Sequence, residues 1–308
     1  MKKNLIQLAL MTVLSYSAWA QQPDKALARV RYTFTHVRDT TQRDKPYTEN
    51  MLLITGQNAS VYTSYDKINR SAALRQQIQE QISNQAGSAT NIRVQNRETR
   101  PVSQIDYFRF SNEGKLIIKE RIFNNYLIEE PIPRINWKIS KDTASFSGLL
   151  CQKATARFKG RDWTVWFAPE LPFSSGPWKL NGLPGLIVEA YDAAKEVSFK
   201  FAGLEKVAPS SGAAESQNTG TGTAVKLVGI DTEEYLGNEI KLPANAIRST
   251  RSELDKLKTA YEKDPEGFLS AQMAAQGMKG NFKISRSLPD GVKPVKPAVN
   301  NPIELSEK

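Results

Sequence analysis

From residue 28 to about residue 230, apolar side chains recur at every second position. The clearest case is Val197, Phe199 and Phe201 alternating with Glu196, Ser198 and Lys200. That period places one face of a strand in a core and the other in water. It recurs in Val30, Tyr32, Phe34 and His36, in Val61, Thr63 and Tyr65, and in Trp163, Val165 and Phe167. Further strand-like runs cover 51–55, 105–110, 116–128 and 149–158. Short polar connections, Ser111-Asn112-Glu113-Gly114 and Lys159-Gly160-Arg161-Asp162, suit antiparallel hairpins, so consecutive strands should pair as a meander.

Helical spacing interrupts this pattern twice. Leu74, Ile78 and Ile82 form a narrow stripe in a Gln-rich run, which predicts a surface helix over 71–83 and a loop over 84–91. Near the other end, Thr250 and Glu253 have the spacing of a capping box, with Leu254, Leu257 and Tyr261 on one face. Pro265 after Asp264 starts a further helix toward Met273. The fold class expected is α+β: a curved antiparallel meander of roughly eight to eleven strands, half-barrel-like, with the C-terminal helices packed on its concave side or across one end. A closed barrel or a two-sheet sandwich is the alternative.

The stretch from Phe167 to Ile187 is rich in Pro and Gly. It runs through Pro169, Glu170, Pro172, Gly176, Pro177, Trp178 and Lys179 to Gly182, Leu183, Pro184, Gly185, Leu186 and Ile187. Pro184 followed by Gly185 is the pattern of a type II turn, in which Gly185 takes a positive φ, so this segment reads as strand, tight reversal, strand. The stretch resembles the signature of the GLPGLI family, exported proteins of Bacteroidetes-type bacteria without an established activity. Cys151-Gln152-Lys153-Ala154 and the terminal Asn301-Pro302-Ile303-Glu304-Leu305 extend the resemblance along the chain. It implies an envelope role, including the neighbourhood of TonB-dependent outer-membrane receptors.

Residues 1–20 carry Lys2 and Lys3, an apolar stretch over 5–14 and a closing Ala18-Trp19-Ala20, the arrangement of a cleavable secretory signal. The expected location is the periplasm or the outer membrane's surface, with no transmembrane segment after the signal. Its removal lowers the formal charge from +10 to +8. A basic exported chain is suited to anionic or hydrophobic envelope ligands. Its dispersed positives, without interleaved aromatics, do not form a nucleic-acid track. Residues 207–223 are mostly Ser, Gly, Ala and Thr, and the end of the chain carries Pro289, Pro294, Pro297 and Pro302. The expected organisation is a signal at 1–20, a single domain over 21–286 with a mobile insertion at about 207–223, and an extended tail over 287–308.

Catalytic chemistry has few candidates. His36 is the only histidine and Cys151 the only cysteine, and no G-x-S-x-G, H-E-x-x-H or C-x-x-C pattern occurs, so no metal or other cofactor is expected. Glu129, Glu130 and Glu170 could serve a carboxylate-dependent hydrolase of envelope glycans or peptides only if two of them met in one cleft. The densest aromatic cluster surrounds Trp163, Trp166 and Trp178. With Glu170 these are the ligand or partner-binding candidates, while Gly182 to Ile187 are read as a structural turn. The function expected is a non-enzymatic binding or interaction protein, with the hydrolase as the alternative. A concave sheet could enclose an acyl chain or a peptide.

Overall fold

The computed structural model describes residues 23–84, 100–207, 237–275 and 299–307. The expected signal, nearly all of the low-complexity insertion, the 85–91 loop and the first part of the tail lie outside the described residues. In chain order the elements are β1 (Asp24–Lys25), β2 (Ala28–His36), β3 (Tyr47–Thr55), β4 (Ala59–Ser64), α1 (Tyr65–Asn84), β5 (Ile105–Phe110), β6 (Lys115–Arg121), β7 (Asn125–Pro131), β8 (Lys138–Phe146), β9 (Leu149–Phe158), β10 (Arg161–Ala168), β11 (Leu186–Asp192), β12 (Val197–Lys206), β13 (Glu239–Ile240), β14 (Ile247–Arg248), α2 (Arg251–Lys263) and α3 (Pro265–Ala275).

Among the described residues one sheet has twelve strands in the order β14-β7-β6-β5-β4-β3-β2-β12-β11-β10-β9-β8, and β1 pairs with β13 apart from it. It consists of two meanders, β2 to β7 and β8 to β12. They join antiparallel between β2 and β12, where Phe34 faces Phe199 and His36 faces Val197. The α+β expectation holds, and the extra strand is the two-residue β14, too short to be read from a period.

Chain length requires the sheet to curve. β7 and β8 stand ten inter-strand spacings apart, about 48 Å if the sheet were flat. Only residues 132–137 connect them, and that length of chain reaches about 24 Å. The edges therefore approach one another, and the inner face becomes a trough.

The two meanders bury their side chains differently. In β10 alternate residues Trp163, Val165 and Phe167 are buried while Asp162 is exposed and Thr164 and Trp166 are half-buried, as period two requires. In β4 all six residues are buried, and β3 and β6 each carry an unbroken buried run. The one-face-wet reading thus fails for β3, β4 and β6, while β2 and β5 keep the alternation. The outer face of the first meander has a second core of Leu52, Ile54, Val61, Phe108, Ile117 and Leu127, covered by Tyr65 and Ile68 of α1 and by Ile240, Leu242 and Ala246. Within this layer Asp106, which is fully buried, accepts from Thr63 Oγ1 at 2.6 Å, Lys67 Nζ at 2.7 Å and Lys119 Nζ at 3.0 Å. Burial alone would raise the Asp106 carboxyl, but the two ammonium groups outweigh it and hold the pKa at about 2.

α1 begins six residues earlier than its apolar stripe suggests, because Ser64 ends β4 as an N-cap. Its hydroxyl accepts from Lys67 N at 2.9 Å, and Asp66 lies in the first turn. At α2 the capping box forms as expected, with Glu253 N donating to Thr250 Oγ1 at 3.2 Å and Thr250 N to Glu253 Oε2 at 2.8 Å. Leu254 and Leu257 then pack on Leu116, Ile118, Tyr126 and Ile128, covering the inner face of β6 and β7.

Candidate functional site

The rest of the trough is filled by residues 169–185. They leave the sheet after Ala168 and re-enter it at Leu186, which is paired with Ala168. The expected tight reversal is therefore a longer closed loop whose own side chains pack inward, in the manner of an Ω-loop. Residues 175–181 are buried without a break. Leu171, Trp178, Leu180 and Leu183 join Trp163, Val165, Phe167 and Phe199 in the main core. The loop is also tied to the short link between β7 and β8, since Trp137 Nε1 donates to Asn181 O at 2.8 Å and Asn181 Nδ2 to Pro133 O at 3.3 Å.

Its final turn differs from the expected type II. Gly185 N donates to Leu183 O at 2.9 Å, a three-residue turn centred on Pro184, and Gly185 has φ +142°. Glycine is required here by close approach as well as by dihedral angle, because a Cβ on Gly185 would stand 2.3 Å from the carbonyl oxygen of Ala168. Trp178 is the other unusual residue, a tryptophan at φ 56°. It keeps this costly conformation because its ring is fixed by Phe158 at 5.6 Å and Trp163 at 5.7 Å.

The two most distinctive parts of the sequence meet here. Lys179 of the loop pairs with Glu130 of β7 at 3.2 Å and with Glu304 of the terminal segment at 2.8 Å. The segment itself is gripped by Arg161, which is buried. Arg161 Nη1 donates to Asp192 at 2.7 Å, Nη2 to Asn301 Oδ1 at 2.6 Å and Pro302 O at 2.7 Å, and Nε to Ile303 O at 2.9 Å. His36 Nε2 donates to Asn301 O at 2.7 Å, and burial pushes the ring's pKa down to about 4, so it is neutral at pH 7. The sole histidine thus holds the tail.

The candidate residues separate into two groups. Trp163 and Trp178 stand together in the core, 1% and 5% exposed, and offer no face to a partner. Trp166 lies on the opposite face of β10, half-buried against Phe146 at 5.5 Å and paired across strands with Lys153 and Glu189. Glu170 is exposed just beyond β10. Cys151 is fully buried, and burial, then Glu170 and Glu189, raise its thiol to about 11, so it is not a ready thiolate.

The three acids do not share a cleft. Glu129 and Glu130 are consecutive on β7 and project to opposite faces. Glu129 meets Lys115 and Arg248, Glu130 meets Lys179 and Arg251, and Glu170 acts on Cys151. Among the described residues no three His, Cys, Asp or Glu side chains are grouped so as to hold a metal. Among the described residues the loop's side chains pack where a ligand chamber was expected, and the cavity between the loop and β4–β5 amounts to about 10 Å³. Sequence reading passed over Arg109, Arg161 and Lys179. A charged residue set among apolar neighbours, as Arg109 is between Phe108 and Phe110, was the available signal.

Residues 158–189, which end β9 and include β10, the loop and the start of β11, match the model of a family described as a protein of unknown function (Porph_ging). No curated protein matches the chain. Among solved structures, PNGF-II in its P21 crystal form is 9% identical with a TM-score of 0.47, covering 75% of this chain and 32% of that one. The C2 form gives a TM-score of 0.46 at the same identity and coverage. This chain spans about a third of the length of those structures.

Proposed function

We propose that the protein is exported to the periplasm or the outer membrane's surface and works there as a non-enzymatic interaction protein, meeting its partner with the outer face of β9–β12. The carrying observation is the filled trough: the loop at 169–185 and α2 occupy the side on which a curved sheet would otherwise enclose a ligand. Among the described residues, what stays accessible is the outer face of the second meander. There Trp166 lies among side chains of both signs, including Lys153, Arg157, Glu170 and Glu189.

An aromatic group within mixed charge suits a protein surface, whereas an anionic lipid surface favours a single sign. The partner is accordingly an envelope protein, of which a TonB-dependent receptor is one instance. Among the described residues no helix is long and apolar enough to cross a membrane. The hydrolase reading requires two acids in one cleft, and Glu129, Glu130 and Glu170 are engaged apart.

A photo-crosslinking residue placed at 166 in the native host tests this. The expected result is a discrete adduct with one envelope protein, absent when the crosslinker replaces Val61 beneath α1, together with a mature chain starting at Gln21. An unprocessed cytoplasmic chain, or no adduct from 166 and neighbouring 164, contradicts it.

A further inference from the structure

The small cavity behind the signature loop has an unusual lining. Ser60, Tyr62, Tyr107, Arg109, Trp178 and Lys179 all contribute to it. Three of these residues carry a buried polar atom without a hydrogen-bond partner: Tyr62 Oη, Arg109 Nε and Trp178 Nε1. Tyr62 and Trp178 are 3% and 5% exposed, so bulk water does not serve them. The indole N–H and the guanidinium Nε–H can only donate, and a neutral phenol can donate as well. Trp178 Nε1 lies near the Tyr107 hydroxyl but forms no hydrogen bond with it.

The charge here is also unmatched. Lys179 is met by Glu130 and Glu304. The contact that Arg109 makes is neutral, from Nη2 to Ser175 Oγ at 2.6 Å, and Ser175 in turn bonds Thr55 Oγ1 at 3.0 Å. Among the described residues no carboxylate reaches Arg109. A half-buried cation with no counter-ion, beside two further orphaned donors, is a costly arrangement that an anion would relieve.

We propose that this cavity is a binding site for one monatomic anion, chloride under ordinary conditions, held by Arg109, Tyr62 and Trp178. Size points to a small ion, since the space of about 10 Å³ is near that of one water-sized sphere and a monatomic anion needs less adjustment of the lining than phosphate, sulfate or a carboxylate ligand. Charge favours a halide over water, because an anion accepts from all three donors whereas water must also place its own protons. The bound ion would link Trp178 of the loop to β4 and β5, so occupancy and seating of the loop are coupled.

Thermal melting of the full mature chain at constant ionic strength, with sodium chloride exchanged for sodium gluconate, tests the site. The expected result is a saturable rise in midpoint of about 2–5 °C with chloride or bromide. Gluconate and sulfate should give none. Tyr62→Phe should raise the half-saturating chloride concentration roughly tenfold, the effect of one lost hydrogen bond to a charge. Arg109→Gln should abolish the response.

Bromide soaked into wild-type crystals gives a readout that needs no variant, and it should produce an anomalous peak between Arg109, Tyr62 and Trp178. Equal midpoints in chloride and gluconate, a halide response retained in Arg109→Gln, or a well-ordered water without a bromide peak would each overturn the proposal.

Discussion

In the first meander β3, β4 and β6 are dry on both faces, while in the second β9 to β11 are dry on one. They have similar strand lengths and hydrogen-bonding patterns, so the difference comes from what covers them. β3 and β4 lie between the main core inside and the α1-covered core outside. β9 to β11 have the signature loop on their inner side and turn polar side chains and Trp166 outward. Stability should accordingly be concentrated in the layers around the first meander and the loop, and recognition on the open face of the second.

Asp106→Ala should have the largest effect on this contrast. It leaves the ammonium groups of Lys67 and Lys119 buried without their carboxylate and should cost roughly 3–5 kcal/mol in urea unfolding. Glu189→Ala, on the open face of the second meander, should stay within about 0.5 kcal/mol. Equal losses at the two sites would remove the contrast.

Gly185→Val comes next, at roughly 2–4 kcal/mol, because its Cβ meets the backbone of Ala168 and its φ is positive. Gly148, in the β8–β9 turn, also has a positive φ but open space where a Cβ would stand. Gly148→Ala should therefore cost only about 1 kcal/mol. Similar midpoints for the two variants would mean that the loop is not seated against β10 as described.

Acid should expose the two buried sites in turn. His36 has a folded pKa below its unfolded value, so the unfolded chain binds the proton more readily. The associated stability is complete above pH 6.5 and is lost as pH falls toward 4. Asp106 follows the same sign over a lower window, its contribution fading from about pH 4 toward 2. In a series of urea midpoints against pH, His36→Gln should flatten the profile between 6.5 and 4 and leave the lower step intact. A wild-type profile that is level across the upper window would contradict the burial of His36.

Trp166→Ala should perturb folding least, by about 1 kcal/mol or less, since the ring is half-buried against Phe146. Its expected effect is instead loss of the envelope adduct. A large drop in melting temperature would move Trp166 from the recognition surface into the core.

Much of this architecture is legible in the sequence. The period of two marks most strands, and Thr250 with Glu253 locates the start of α2. The double burial of β3 and β6 is also present, in the unbroken apolar runs Met51-Leu52-Leu53-Ile54 and Leu116-Ile117-Ile118, once these are read as strands without a wet face. What could not be read locally depends on contacts distant in sequence. Alternation through Val61 and Thr63 carries on to Tyr65 and hides the Ser64 cap. The Pro184-Gly185 pair fits a type II turn equally well until Ala168 is placed beside it. Arg161 is about 140 residues from the tail it holds, and no spacing rule joins Lys179 to Glu304. The site is less legible than the fold for the same reason, since Trp163, Trp166 and Trp178 look alike in sequence and only the packing separates the core pair from the open-face residue.

The central claim is that the chain's own signature loop fills the trough, leaving no chamber for an organic ligand among the described residues. Native mass spectrometry of the mature protein, purified from its own envelope without denaturation, tests it most directly. The account predicts the bare mass of the mature chain, free of any organic ligand. A stoichiometric lipid or peptide that departs only on unfolding, and whose departure changes the fluorescence of the buried Trp163 and Trp178, would contradict it.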